Sequence, residues 1–159
     1  MKKYKYVVAF IVLAMVLGGC SKNHMTSIYS DNEKISSNTN SFNLYIEKQN
    51  IEGRKFNGVI KKIEGMDTIW IYESDKDMEL DMTYLLNVIS GKVKLVLIEP
   101  DSSVTNIIEV TKESDVIDYA TNILRIKKGL NRIKIVADKN TSLEFDISIP
   151  NGEFKELGM

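Results

Sequence analysis

Residues 124–149 read LRIKKGLNRIKIVADKNTSLEFDISI, and the apolar side chains in them recur at every second position. Leu124 and Ile126 alternate with Arg125 and Lys127. Ile133, Ile135 and Ala137 alternate with Arg132, Lys134 and Val136; Leu143, Phe145, Ile147 and Ile149 alternate with Glu144, Asp146 and Ser148. A period of two sets one face of a strand on a core and the other in water. Lys128-Gly129 separates the first two runs as a hairpin with a residue at positive φ would. Asp138-Lys139-Asn140-Thr141 reads as another turn.

The pattern continues upstream. Phe42, Leu44 and Ile46 alternate with Asn43, Tyr45 and Glu47; Val93, Leu95 and Leu97 alternate with Lys92, Lys94 and Val96. Ser90-Gly91 precedes that second run, and Glu99-Pro100-Asp101-Ser102 follows it with proline where a type I turn wants it. Tyr84 to Ile89 is apolar on both faces and reads as a central strand or a short helix. No stretch after residue 41 carries a long run at helical spacing. The chain is therefore predicted to be all-β, an antiparallel β-sandwich (Ig-like or jelly-roll-like) of seven to nine strands over residues 42–150. The tail, 151–159, is expected to leave the sheet.

Ahead of the sandwich, residues 21–41 are rich in serine, threonine and asparagine, and Met25, Ile28, Tyr29 and Ile35 show no period. Such a segment buries too little to offset its ordering entropy. Residues 20–41 read as a flexible tether; the competing reading packs Ile28-Tyr29 on the domain. Residues 1–19 carry Lys2, Lys3 and Lys5, then an apolar run from Val7 to Leu17. That is the pattern of a secretory signal, and the run is about half the roughly 20 residues of a membrane span. Its end, Leu17-Gly18-Gly19-Cys20, resembles the lipobox of bacterial lipoproteins. The resemblance implies cleavage between Gly19 and Cys20 and a diacylglycerol on the Cys20 sulfur, which places the domain on the extracytoplasmic face of the cell membrane.

SGKVKLVLIEPD (90–101), LRIKKGLNRIKIVAD (124–138) and SLEFDISI (142–149) are similar to the β-sandwich domains of small uncharacterised Gram-positive lipoproteins. The likeness covers roughly residues 54–149 and carries strands and turns rather than catalytic residues. The layout also looks loosely like jelly-roll carbohydrate-binding modules, without their calcium or sugar residues clearly in place.

Of 159 residues about 140 follow the signal, enough for one domain. Loss of Lys2, Lys3 and Lys5 takes the basic count from 21 to 18 against 22 acids, which does not suit a nucleic-acid partner. Lysine outnumbers arginine 18 to 3, a bias that points to an AT-rich Gram-positive genome. Cys20 is the only cysteine and His24 the only histidine. A Ser-His-acid triad, a Cys-His dyad and a multi-histidine metal centre are thereby excluded for this chain alone. The expectation is no enzyme and no cofactor.

Three constellations invite a binding role. Glu73, Asp75, Asp77, Glu79 and Asp81 occupy successive odd positions; extended, they share a face and suit a hard cation, with Asp75, Asp77 and Glu79 as Ca²⁺ ligands. A solvated acidic face is the plainer reading. Trp70 and Tyr72 lie two apart on one strand face, either as a flat platform for a sugar or peptide or as sandwich core. Lys92, Lys94, Arg125, Lys127, Lys128, Arg132 and Lys134 fall on polar strand faces. Those seven would form a basic patch for anionic head groups or wall polymers, or serve solubility. The reading that results is a lipid-anchored, non-catalytic binding module of the envelope. Its membrane contact is the lipid on Cys20, and its partner is another envelope protein or wall polymer. The alternatives are a carbohydrate-binding module using Trp70 and Tyr72, or a Ca-dependent adhesin element.

Overall fold

The computed structural model describes residues 24–114 and 118–159, so Cys20 and the leader before it lie outside the described residues. In chain order it contains two one-turn helices, α1 (His24–Ile28) and α2 (Asn32–Ser36). The strands are β1 (Ser41–Glu52), β2 (Lys55–Ser74), β3 (Met78–Ser90), β4 (Lys92–Ile98), β5 (Val104–Thr111), β6 (Ala120–Ile126), β7 (Gly129–Ser148) and β8 (Glu153–Phe154). The all-β antiparallel architecture is the one the alternation predicts.

β2 and β7 pair antiparallel along their whole length, from Lys55 with Ser148 to Ser74 with Gly129. On the other side of β7, β3 covers Ser142–Ser148 and β4 covers Arg132–Ala137, so β3 and β4 run along it as one strand interrupted at Gly91. All three change direction along one line. β2 slips register between Ile60 and Gly65, and Gly65, Gly91 and Asn140 take φ of 104°, 74° and 55°. A side chain at Gly91 would collide with Thr141, and one at Gly65 with the Ser41 carbonyl. Only glycine supplies that backbone without a steric penalty. The sheet creases here and folds on itself into two halves.

One half holds β1, the first part of β2, the last part of β7, β3 and β6. The other holds the rest of β2 and β7 with β4, β5 and β8. Phe56, Leu86, Leu143 and Phe145 from the first meet Ile69, Val93, Leu95 and Ile135 from the second in a single core. Phe56 and Phe145 pack edge to face at 4.9 Å.

Several expectations are corrected. Asp138–Thr141 does not reverse the chain but carries β7 through the crease. Gly129 has the positive φ expected of it, 110°, yet β6 does not pair with β7, so Lys128-Gly129 links the two halves and closes no hairpin. Tyr84–Ile89 is strand. The Glu99–Ser102 turn forms as read, Ser102 N–H donating to the Glu99 carbonyl at 2.9 Å.

Much of the expected tether is a third layer. Ile28 and Ile35 are fully buried and Tyr29 nearly so, against Met66, Val96, Ile98 and Val136 on the outer face of the β4–β5 half. Burying such a side chain is worth about 1.5–3 kcal/mol, which offsets part of the cost of ordering the segment. Asp31 caps α2 by accepting from Lys34 N–H at 3.1 Å. At the other end of α2, Arg132 donates to the carbonyls of Ser36 and Ser37 at 2.9 and 3.1 Å. Lys134 Nζ donates to those of Ser37 and Thr39 at 2.9 and 2.7 Å. The helix-end carbonyls and two cations of the sheet satisfy one another.

The C-terminal tail also returns. β8 pairs with β2 at Trp70 and Ile71, and Phe154 and Leu157 enter the core. Gln49 grips Leu157 through both its backbone groups, and Asp67 accepts from Gly158 N–H at 2.7 Å. Asp67 is fully buried, and that burial pushes its carboxyl above the usual range.

Candidate binding cleft

β5 pairs only with β4 and β6 only with β3, so each is the edge strand of its half. The two edges face each other across a cleft of about 670 Å³, within the range of small-ligand sites. Thr105, Asn106 and Ile107 come from β5, and Thr121, Asn122 and Ile123 from β6. Asn122 Nδ2 donates to the Ile107 carbonyl at 3.0 Å and ties the two edges together. Leu97 and Leu124 supply apolar lining, while Ile123 is 55% exposed. Glu79, Glu99 and Arg125 add charge; Arg125 Nε lies 3.9 Å from the Glu79 carboxylate, both side chains largely in solvent. Two carboxylates against one guanidinium repel an anionic polymer and tolerate a neutral one. The amides and hydroxyls read hydroxyl or amide groups by hydrogen bonding.

Sequence reading missed this cleft, although a signal lay in plain view. VTNIIEV (104–110) and ATNILRI (120–126) are near-copies, so the same Thr-Asn-Ile triplet is presented from both sides. A strand whose outward positions hold threonine and asparagine beside an exposed isoleucine suits an edge better than a covered face.

Trp70 does not form a platform. It is fully buried, its Nε1 donating to the Asn151 carbonyl at 2.9 Å, and Gly152 packs so close that any side chain there would strike the indole. A register shift between Thr68 and Trp70 turns both Ile69 and Trp70 into the core, a consequence of a bulge that strict alternation cannot foresee. Tyr72 is half-buried beside it, with ring centroids 5.9 Å apart and its hydroxyl 3.7 Å from Met78 Sδ. Of the two readings of Trp70 the core one holds, and the alternative, a sugar-stacking platform of Trp70 and Tyr72, is withdrawn.

The acidic stretch is split. Asp75 and Asp77 lie in the β2–β3 turn, whereas Glu79 and Asp81 lie on β3. Asp77 accepts from Lys128 N–H at 2.9 Å and from Lys127 Nζ at 3.3 Å, which lowers its pKa, the backbone bond contributing most. Asp77 thus serves to brace the β6–β7 link. Among the described residues no three His, Cys, Asp or Glu side chains gather as a metal would need, so Asp75, Asp77 and Glu79 do not form the Ca²⁺ set.

The basic patch dissolves in the same way. Lys92 and Lys94 place their ammonium groups 4.3 and 4.9 Å from the Tyr29 ring centroid. Arg132 and Lys134 hold α2, while Arg125 and Lys127 face Glu79 and Asp77. Lys134 has no exposed surface; burial first, and then the neighbouring Arg132, bring its pKa down to about 8, with Asp67 opposing.

No family model matches this chain, and no curated protein matches it. Among solved structures it is similar to a family 29 carbohydrate-binding module mutant complexed with mannohexaose. The two share 11% identity at a TM-score of 0.36, over 70% of this chain and 92% of that one. A second family 29 carbohydrate-binding module gives 14% identity and a TM-score of 0.32, over 70% and 79% of the two chains.

Proposed function

We propose that this chain is a lipid-anchored, non-catalytic binding module on the extracytoplasmic face of the cell membrane, and that the β5–β6 cleft is its ligand site. The lipobox-like LGGC ending at Cys20 supports the anchor. Among the described helices none is long and apolar enough to cross a membrane. The observation that carries the binding reading is the pair of Thr-Asn-Ile edges facing each other across the cleft and bridged at Asn122. The favoured ligand is an extended, uncharged segment of another envelope protein. An open strand edge offers such a segment backbone donors and acceptors, and Ile123 offers an apolar contact. A neutral glycan is the second reading, favoured by the side-chain amides and hydroxyls of Asn106, Asn122, Thr105 and Thr121.

The test uses the lipid-free chain from Ser21, incubated with solubilised envelope proteins and, separately, with peptidoglycan and neutral wall glycans. Thr121→Arg and Asn122→Ala are both expected to cut capture of the true ligand at least about tenfold, the scale of losing about 1.4 kcal/mol. Capture that survives both substitutions would place the site elsewhere. The anchor is tested apart: Cys20→Ala should abolish membrane association, since stable anchoring requires acyl chains.

A further inference from the structure

From the way residues 25–40 are docked, we infer that the leash between lipid and domain is short, that the crease of the sheet faces the lipid head groups, and that the β5–β6 cleft faces away from them. This orientation rests on the anchored reading of Cys20.

Thr26 Oγ1 donates to the Glu64 carboxylate at 3.2 Å, and Ser41 Oγ to Met25 Sδ at 3.4 Å. Glu64 adjoins Gly65 in the crease, and Ser41 pairs with Met66 just beyond it. The chain thus joins the domain at the crease. From Cys20 to Thr26 it covers six residue steps, which span at most about 20 Å when fully extended. A free segment reaching to Ser41 could stretch to roughly 70 Å. Paying out more than the short leash requires pulling Ile28 and Ile35 from their burial and releasing the carbonyls held by Arg132 and Lys134.

The cleft lies toward the other end of the strands. β3 takes eleven residue steps from Ser90 at the crease to Glu79 in the cleft wall, no more than about 36 Å at strand rise. β4 likewise leaves the crease at Lys92 and delivers Leu97 to the cleft. Charge at the crease is mixed: Lys61 pairs with Glu47 at 2.7 Å and Lys92 with Asp138 at 3.7 Å. The approach to the bilayer is accordingly set by the leash rather than by attraction to anionic lipid. The ligand is one that reaches the protein from the wall side.

The acylated protein provides a clean probe, because an introduced cysteine is then its only free thiol. Lys139→Cys at the crease and Thr121→Cys at the cleft, both exposed, would each carry a fluorescent donor on protein reconstituted into vesicles with an acceptor lipid. Transfer from position 139 should exceed that from position 121 severalfold, equally in phosphatidylcholine vesicles and in vesicles containing phosphatidylglycerol. Inserting twenty Gly/Ser residues after Lys22 should weaken and equalise the two signals. Equal transfer without the insertion, from protein whose mass shows the lipid on Cys20, would overturn the orientation. Absence of lipid mass on Cys20 would overturn the anchored reading itself, so the two failures are told apart.

Discussion

On the outer face of the β4–β5 half, Met66, Val96, Ile98 and Val136 are buried beneath α1 and α2; on the outer face of the β3–β6 half, Val59, Leu85 and Ile89 stand partly or largely in solvent. Both faces belong to the same long strands, since β2 and β7 pass through the crease from one to the other. The difference lies in spacing and in charge. The covered face has contiguous apolar positions on neighbouring strands and two cations, Arg132 and Lys134, aimed at helix-end carbonyls. The open face mixes its apolar residues with Asn57, Asn87, Glu144 and Asp146, and Lys55 pairs with Asp146 at 2.8 Å. A β-sandwich thus acquires a third layer only where apolar area and matched polar partners coincide.

Removing that layer should have the largest effect. A chain starting at Ser41 loses the burial of Ile28, Tyr29 and Ile35, about 5 kcal/mol or more in sum, which rivals the entire margin of a domain. Thermal unfolding followed by circular dichroism should lose its cooperative transition or shift down by tens of degrees; an unchanged melt would show the layer to be ornamental. Within the layer, Ile35→Ala should cost about 2–5 kcal/mol by denaturant titration.

A smaller effect comes from pH. The folded state holds the Lys134 proton less tightly than the unfolded state does, with a pKa of about 8 against an ordinary 10.5. Between those values the unfolded chain binds more protons, so stability should rise as pH climbs from 8 toward 10. The partly buried Lys94 is shifted the same way. Above pH 10 Tyr29 reverses the trend, because burial and Glu109 raise its phenol above the unfolded value. Lys134→Met should flatten the rise; a melting temperature that falls over pH 8 to 10 would contradict the buried-lysine assignment. On the open face, Ile89→Ser should change stability by no more than about 0.5 kcal/mol, as exposed sites do.

These faces also explain what the sequence could disclose. Phe42–Ile46, Val93–Leu97 and Leu143–Ile149 announce strands because one side of each meets core and the other meets water. Residues 24–36 disclosed only the competing reading, Ile28-Tyr29 packed on the domain, which the structure bears out; two single-turn helices are too short to display a helical period. Their contacts, Ile28 and Ile35 against Val96, Ile98 and Val136, are long-range. Trp70 was readable as core; what alternation could not foresee is the bulge that turns Ile69 inward beside it. The cleft was legible only as a repeated Thr-Asn-Ile, which acquires meaning once β5 and β6 are known to be opposed edges.

The full-length pairing of β2 with β7 also has a consequence in time. Its contacts join residues as far apart as Lys55 and Ser148 and none closer than Ser74 and Gly129. Loop closure on that scale must precede any reward from pairing, so folding belongs to the slow, millisecond-to-second regime of non-local β proteins. During synthesis the central partner of β2, β3 and β4 is made after all three, so the core cannot close until β7 is made, although β1 can pair with β2 and β4 with β5 earlier. A core that closes only when β7 is made keeps the chain threadable for longer, the condition that the export proposed above would impose.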